Sequence, residues 1–193
     1  MTEALGLRER KKAAARQALH EAALRLAIER GLDHVTTEAI ADAAGLSRRT
    51  FSNYFTGKEE AILYSDQREL SRLIELVRAR PADESGWMAF RQGVRDLSRE
   101  SDDLERGELV AVRRLRQHPA LVARKAAAYS ALEQQVAAAI TGRDTGPVAP
   151  RVLAAALLAG LRLGTQLWLE GPADESLSAS TEKALDQFSQ PFC

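Results

Sequence analysis

Two short helices joined by a glycine turn are predicted by residues 37–58, which read TEAIADAAGLSRRTFSNYFTGK. The apolar residues of this stretch frame Gly45, so the two helices can close on each other through a turn at that glycine. These residues are Ile40, Ala44, Leu46, Phe51 and Tyr54. The spacing therefore predicts a helix-turn-helix motif over about residues 37–55, with a left-handed backbone at Gly45.

The second helix of the motif leaves a polar face outward. Its side chains are donors that suit phosphate oxygens and base edges. They are Ser47, Arg48, Arg49, Ser52 and Asn53. Ser47 is also the predicted N-cap of this helix. The face predicts double-stranded DNA as the partner.

Composition neither adds to this prediction nor opposes it. The 193 residues are 45% hydrophobic and 28% charged, as in ordinary globular proteins. Lys plus Arg equals Asp plus Glu at 27 each, so a DNA interface has to arise from local placement of charge. The only cysteine, Cys193, forms no intrachain disulfide and predicts no metal site.

The expected location is the cytoplasm, without a membrane contact. No basic segment followed by an apolar run opens the sequence, so no signal peptide is predicted. The longest apolar stretch, residues 152–161, is shorter than the about 20 residues of a membrane span.

Two local features leave alternatives open. The basic arm of residues 1–15 carries Arg8, Arg10, Lys11 and Lys12, and it is either a solvated tail that begins a helix or an arm that contacts phosphates or the minor groove. The aromatic group Phe51, Tyr54 and Phe55 favours packing of a three-helix unit over base stacking. The Tyr54 hydroxyl suits either packing or a phosphate contact.

The helix boundaries follow from caps and breakers. Thr37 is the predicted N-cap of the first motif helix. Thr56 and Glu59 predict a capping box that starts one long helix over residues 58–80. Further helices are predicted over residues 87–99, 104–117, 120–140, 152–170 and 174–190, and nothing alternates like a strand. The predicted fold is all-α, with a three-helix DNA-binding domain at 1–57 and a helical ligand-binding and dimerisation domain at 58–193.

Residues 36–63, TTEAIADAAGLSRRTFSNYFTGKEEAIL, closely resemble the TetR family of bacterial transcriptional regulators, and the match extends from Arg16 to Leu63. The Tyr54-Phe55 and Lys58-Glu59 ending is part of that resemblance. Residues 13–55 also look like the actinobacterial members typified by the mycofactocin-associated regulator, which are thought to respond to acyl-CoA-like ligands.

The resemblance implies a ligand-responsive regulator, most simply a repressor released from a palindromic operator by a small molecule. Ser47 to Tyr54 would be the recognition helix, in which Arg48 and Arg49 contact guanine edges, phosphates or only solvent. Thr37, Tyr54 and Lys58 would contact phosphates. One motif reads too few base pairs for a genomic site, so a homodimer is expected.

The second domain carries candidate residues for an effector and for the dimer. An acyl-CoA-like or other anionic or neutral apolar effector is expected, although apolar residues at helical spacing are more often core. The candidate pocket residues are Trp87, Phe90, Val94, Leu109, Val112, Arg113, Tyr129 and Trp168. Neighbouring Arg91, Arg95, Arg114 and Arg116 suit an anion. The candidate dimer residues are Ala155, Ala159, Leu163, Leu177, Leu185 and Phe188.

Two other function classes make different demands on the sequence. An enzyme is not expected, because His20, His34 and His118 are not spaced to form a catalytic or metal set, and no cofactor is predicted. A helical DNA-binding adaptor or activator without a small-molecule ligand keeps the motif and needs no pocket. Stabilisation by a metabolite followed by operator release would separate the repressor from the adaptor.

Overall fold

The computed structural model describes residues 2–100, 111–112, 114–172 and 175–188. Its regular elements in this part of the chain are all helical, which confirms the all-α prediction. The α-helices are α1 (Thr2–Arg30), α2 (Thr37–Ala43), α3 (Arg48–Tyr54), α4 (Lys58–Ile62), α5 (Tyr64–Ala79), α6 (Gly86–Glu100), α7 (Pro119–Ile140), α8 (Pro150–Glu170) and α9 (Leu177–Phe188). A short 3-10 helix, Leu32–His34, joins α1 to α2. Of the described helices, none has both the length and the apolar character of a membrane span.

The chain divides into two compact units. Unit 1 comprises Met1–Arg68 and Glu105–Ala126, and unit 2 comprises Glu69–Leu104 and Ala127–Cys193. The helices α5 and α7 each contribute residues to both units. The boundary predicted after residue 57 falls inside unit 1, because α4 and the start of α5 pack with α1.

Unit 1 is built around one face of α1. Alanine and leucine residues recur on that face at spacings of three and four, and they are buried together with Phe51 and Phe55. The two aromatic rings lie 5.7 Å apart between centroids. This confirms that they pack the helical unit and do not stack on bases. The face of α1 consists of Leu19, Ala22, Ala23, Leu26 and Ala27.

The turn of the motif is as predicted, but two caps are shifted by one residue. Gly45 has φ +66°, and the Ser47 hydroxyl accepts a hydrogen bond from the Thr50 amide at 3.1 Å. The N-cap of α2 is Thr36, whose hydroxyl accepts from the Ala39 amide, and not Thr37. The adjacent threonines are chemically alike, so only the backbone geometry distinguishes them.

The capping box at the start of α4 is likewise displaced. Gly57 occupies the N-cap position, and Glu60, not Glu59, accepts hydrogen bonds from the amide and hydroxyl of Thr56. Glu60 is three residues after the N-cap, which is the position from which a carboxylate reaches back past a helix start.

The single helix predicted over residues 58–80 is wrong, because Leu63 ends α4 and α5 begins at Tyr64. The buried His20 of α1 donates a hydrogen bond from Nδ1 to the carbonyl of Ala61, at 2.8 Å. A side chain that bonds into the backbone ladder interrupts a helix at that point. The break therefore results from a contact made by α1.

Unit 2 holds a second core in which α8 and α9 approach closely. A Cβ atom added at Gly164 would lie 2.5 Å from the Thr181 Cα, and one at Gly160 would lie 2.7 Å from Leu185 Cδ2. The glycines of α8 thus allow close contact with α9 of the same chain.

The end of α5 is held by a residue far along the sequence. The guanidinium of Arg143, in the loop between α7 and α8, donates to the carbonyls of Val77 and Arg80 at 3.1 and 2.9 Å. It also donates to the carbonyls of Pro81 and Glu84. Carbonyls at a helix C-terminus lack partners within the helix, and Arg143 supplies them.

Gly164→Ala tests the close contact of α8 with α9. The new methyl group meets the backbone of Thr181, which no side-chain rotation relieves, so we expect a loss of about 1–3 kcal/mol of unfolding free energy. Urea unfolding at one protein concentration measures it. Gly6→Ala, where an added Cβ meets nothing within 4 Å, is the matched control and should be neutral or slightly stabilising. Equal stability of the two variants would contradict the close contact.

Candidate nucleic-acid interface

The outward face of α3 is polar and open to solvent. Ser47, Arg48, Arg49, Ser52 and Asn53 are all exposed, whereas Phe51 in the same helix is buried. The helix thus presents its donors on one side because its aromatic side is fixed in the core. Five neighbouring donor side chains without a covering element make a surface suited to the edge of a nucleic acid.

Arg48 is held by an acidic side chain of the preceding helix. Its Nε lies 2.9 Å from Glu38 Oε1. A hydrogen bond from the residue's own backbone amide, followed by one from the Thr37 hydroxyl, lowers the pKa of the Glu38 carboxyl, which is therefore ionised at neutral pH. Exposed pairs of this kind contribute little to stability, so Arg48 can exchange Glu38 for another anion at low cost.

Arg49 differs from Arg48 in having no ion pair with any residue that the structure describes. Its side chain is exposed. A free guanidinium can present two parallel donors to one acceptor edge, which suits bidentate recognition of guanine.

Lys58 is positioned differently from the prediction. Its ammonium donates to the carbonyl of Leu32 at 2.8 Å and to that of Val35 at 3.0 Å. These carbonyls belong to the short connection between α1 and α2. A phosphate contact would have to use the one remaining N–H, so the side chain first serves to fix α2 against α4.

Tyr54 closes α3 and is half-buried. The guanidinium carbon of Arg16 lies 5.5 Å from the centroid of the Tyr54 ring, within the range of a cation–π contact. The half-buried Thr37 donates its hydroxyl hydrogen to Glu38. The Thr37 hydroxyl thus contacts the Glu38 carboxylate, which in turn pairs with Arg48.

The sequence comparisons assign this arrangement to a family. Residues 19–63 match the family described as "Bacterial regulatory proteins, tetR family", and residues 84–192 match the "MftR C-terminal domain". The HTH-type transcriptional regulator TcmR of Streptomyces glaucescens is 30% identical, over 94% of this chain and 85% of that protein. The chain belongs to the TetR family of bacterial transcriptional regulators.

Solved structures of similar proteins share the fold. The Thermus thermophilus FadR repressor in complex with lauroyl-CoA is 25% identical, with a TM-score of 0.60 over 92% of this chain and 95% of that one. A SmeT–triclosan complex is 17% identical, with a TM-score of 0.61 over 90% and 89% of the two chains. The resemblance on which the fold was predicted is thereby confirmed.

The predicted pocket residues lie in different places. Phe90 and Val94 are buried in the core of unit 2, and Trp87 packs against it. Half-buried Val112 belongs to unit 1. Leu109 and Arg113 fall outside the described residues. These positions stay candidates.

The polar groups of two further candidates already have partners. The Tyr129 hydroxyl donates to the carbonyl of Leu158 at 2.7 Å, and burial raises its pKa. The Trp168 indole N–H donates to the carbonyl of Glu175 at 3.0 Å. A ligand bound beside them would meet mainly their apolar surfaces.

Arg91 and Arg95 pair within unit 2, where the sequence suggested an anionic ligand. Both guanidinium groups contact Glu182 of α9, and Arg91 also lies 2.8 Å from Asp186. Two cations and two carboxylates neutralise each other across the contact of α6 with α9. The two arginines therefore join helices and offer no surplus charge.

The predicted dimer residues form two groups. Ala155, Ala159, Leu163 and Phe188 are half-buried and Leu177 is exposed, so these five have surface left for a second chain. Leu185 is fully buried against Gly160 in its own chain. It cannot add buried area across a dimer interface, and its assignment is corrected on that ground.

The sequence analysis missed the roles of Glu38, Arg16 and Thr36. The signal for Glu38 was available, because an acidic residue and Arg48 flank a turn whose closure brings neighbouring helices together.

The pairing of Glu182 predicts a pH-dependent stability. Burial acts to raise the pKa of this carboxyl, but hydrogen bonds from Arg91 and Arg95 outweigh it and hold the pKa below its ordinary value. A lowered pKa means that the stabilisation is complete above about pH 4.5 and is lost as the pH falls through the folded-state value. Glu182→Gln should lose about 1–3 kcal/mol at pH 7, and the deficit should shrink in acid.

Urea unfolding of wild type and Glu182→Gln between pH 3 and 7 measures this deficit. Glu29→Gln, at an exposed position of α1, is the control and should follow wild type at every pH. A deficit that stays constant with pH would contradict the ion-pair account.

Proposed function

We propose that this TetR-family chain is a repressor that binds a palindromic operator in double-stranded DNA as a homodimer and is released by a small molecule. The observation that carries the proposal is the exposed polar face of α3, fixed on a buried aromatic side. The acting location would be the cytoplasm, where the DNA is. The regulator TcmR, related over most of both chains, supports the same role.

Arg48 and Arg49 would have different roles in DNA binding. Arg49, free of ion pairs with described residues, would contact a guanine edge. Arg48, whose Nε is held by Glu38, would turn its terminal nitrogens to a phosphate. Ser52, Asn53 and Tyr54 would complete the contacts, whereas the Ser47 hydroxyl is used as the helix cap. Phosphate contacts fix position, and base contacts carry the sequence preference.

Dimerisation would use the outer side of α8 and the start of α9. Val152 is 60% exposed, Leu167 39% and Leu177 41%, which is unusual for large apolar side chains. On α8, Val152, Ala155, Ala159, Leu163 and Leu167 recur at spacings of three and four and so share one face. Burying this face on a second copy would place two α3 helices on one operator.

The effector class best supported is an acyl-CoA-like molecule, with an anionic head and an apolar chain. The Thermus thermophilus FadR that is similar to this chain was solved with lauroyl-CoA. The match to the MftR C-terminal domain covers most of unit 2 and points the same way. Since Arg91 and Arg95 are neutralised by Glu182, the head would be bound by other cations.

A ligand-independent DNA-binding adaptor or activator is the second candidate. It is favoured by one observation, that Arg91, Arg95 and the Tyr129 hydroxyl of unit 2 have partners within the chain. A protein without an effector would need no ligand pocket.

Selection from a random duplex pool tests the DNA-binding proposal. Wild type should enrich a two-fold symmetric site. Arg49→Ala should lose about 1–3 kcal/mol on that site and relax the preference at one position of each half-site. Arg48→Ala should weaken binding to all duplexes about equally. Arg25→Ala, at an exposed position of α1, is the control. Unchanged affinity and preference in both α3 variants would refute the assignment.

Thermal unfolding with lauroyl-CoA, coenzyme A, lauric acid and triclosan tests the effector class. Lauroyl-CoA at about 100 times its dissociation constant should add about 2.7 kcal/mol, which corresponds to a rise of several degrees in Tm. It should also release the selected duplex. Coenzyme A and lauric acid, each carrying half of the molecule, should do less. Neither stabilisation nor release by any of the four would favour the adaptor.

A further inference from the structure

The carboxylate of Glu38 lies against the outward face of α3. Glu38 is in the first turn of α2, and its side chain is 48% exposed. Its Oε1 atom lies 2.9 Å from Nε of Arg48, the first residue of α3. Its Oε2 atom accepts a hydrogen bond from the Thr37 hydroxyl at 3.1 Å. Both carboxylate oxygens therefore have partners within the chain.

The carboxylate is the fixed member of its pair with Arg48. A hydrogen bond from its own backbone amide, followed by the one from the Thr37 hydroxyl, holds the pKa of the Glu38 carboxyl below its ordinary value. The same two bonds anchor the carboxylate to the start of α2. The Arg48 side chain is 72% exposed and has no ion pair with another described residue. Arg48 can therefore leave Glu38 without disturbing the fold.

Glu38 lies where Arg48 would have to meet a second anion. Carboxylate and phosphate oxygens both accept hydrogen bonds from a guanidinium group, and the proposed role of Arg48 is a phosphate contact. A phosphate that reaches Arg48 either displaces Glu38 or shares the guanidinium with it. Displacement costs the ion pair, and sharing places two anions around one cation, where they repel each other. In both cases Glu38 lowers the gain in binding free energy from the phosphate contact.

The pairing also halves the uncompensated charge of α3. Of the two guanidinium groups of this helix, that of Arg48 is paired, whereas that of Arg49 has no ion pair with a described residue. The chain as a whole has no net charge, so its attraction to phosphates depends on local cations. Glu38 therefore weakens the electrostatic attraction at the face that would contact DNA.

We propose that Glu38 is an internal competitor of DNA phosphates, whose carboxylate holds Arg48 in the free protein and so limits the affinity for every duplex. This role rests on the proposed function of α3 in DNA binding, and it adds to that function a residue that opposes binding. Phosphates are alike at every base pair, so the competition has no sequence preference. Glu38 thus limits the sequence-independent part of DNA binding.

Duplex binding by Glu38→Gln tests the competition. Glutamine keeps the size of the side chain and an oxygen that accepts from the Thr37 hydroxyl, but it has no charge to hold Arg48. Because an exposed ion pair is weak, the affinity should rise by about two- to fivefold for each chain bound. The rise should be equal on the selected duplex and on a mixed-sequence duplex. Fluorescence anisotropy titrations with labelled duplexes measure both affinities.

Two further variants separate the competition from an effect of total charge. Asp42→Asn removes the same charge from an exposed position of α2, where the carboxylate has no ion pair with any described residue. Its affinity should stay close to that of wild type. Glu38→Gln combined with Arg48→Ala should bind no more tightly than Arg48→Ala alone, because the cation under competition is gone. Circular dichroism checks that each variant folds.

The outcomes separate the role of Glu38 from the proposed function. Unchanged or lower affinity of Glu38→Gln, an equal rise in Asp42→Asn, or a rise that persists without Arg48 would each overturn the competition. Enrichment of a symmetric site by wild type would leave DNA recognition by α3 standing in all three cases. If wild type binds duplexes but enriches no sequence, the proposed function fails, and a rise in Glu38→Gln still supports the competition. If wild type binds no duplex, both fail.

Discussion

The burial of Phe51 and Phe55 is the constraint on which the interface depends. The seven residues of α3 are fewer than the about 12–15 that an isolated helix needs in water. Packing against the rest of unit 1 therefore has to keep α3 helical. Phe51 contacts Phe55, and Phe55 contacts Tyr64 of α5 with ring centroids 5.6 Å apart. This aromatic row fixes the rotation of α3 and so fixes which donors point outward.

Short-range features of the fold could be predicted from the sequence, because they follow from neighbouring residues. The glycine at position 45 and the serine at position 47 determine the turn and the cap of the motif by their own chemistry. The predicted positions of the helix caps were accurate only to within one residue. Thr36 and Thr37 are equivalent as caps, as are Glu59 and Glu60 as reaching carboxylates, and the backbone geometry that separates them depends on how the helices pack.

Long-range polar contacts could not be predicted. The bond from His20 to Ala61 spans 41 residues, that from Lys58 to Leu32 spans 26, and that from Arg91 to Glu182 spans 91. Sequence reports that a lysine or arginine is charged, but not which group neutralises it. For that reason Lys58 was read as a phosphate ligand and Arg91 as an anion site, whereas both hold helices together. Arg49, which has no such partner among the described residues, kept its predicted availability.

Unit 1 draws its core from two separate parts of the chain, and this affects how it folds during synthesis. Its core includes Leu121, which is fully buried, and Leu115, although the rest of that core lies before residue 64. A nascent chain that has emerged only to residue 68 thus lacks part of the interior that steadies α3. Because domains fold during synthesis as their residues appear, unit 1 is complete only after the chain has passed residue 126. By then all of α6 and the start of α7 have been synthesised, so the outward face of α3 matures together with the part of the chain that would control it.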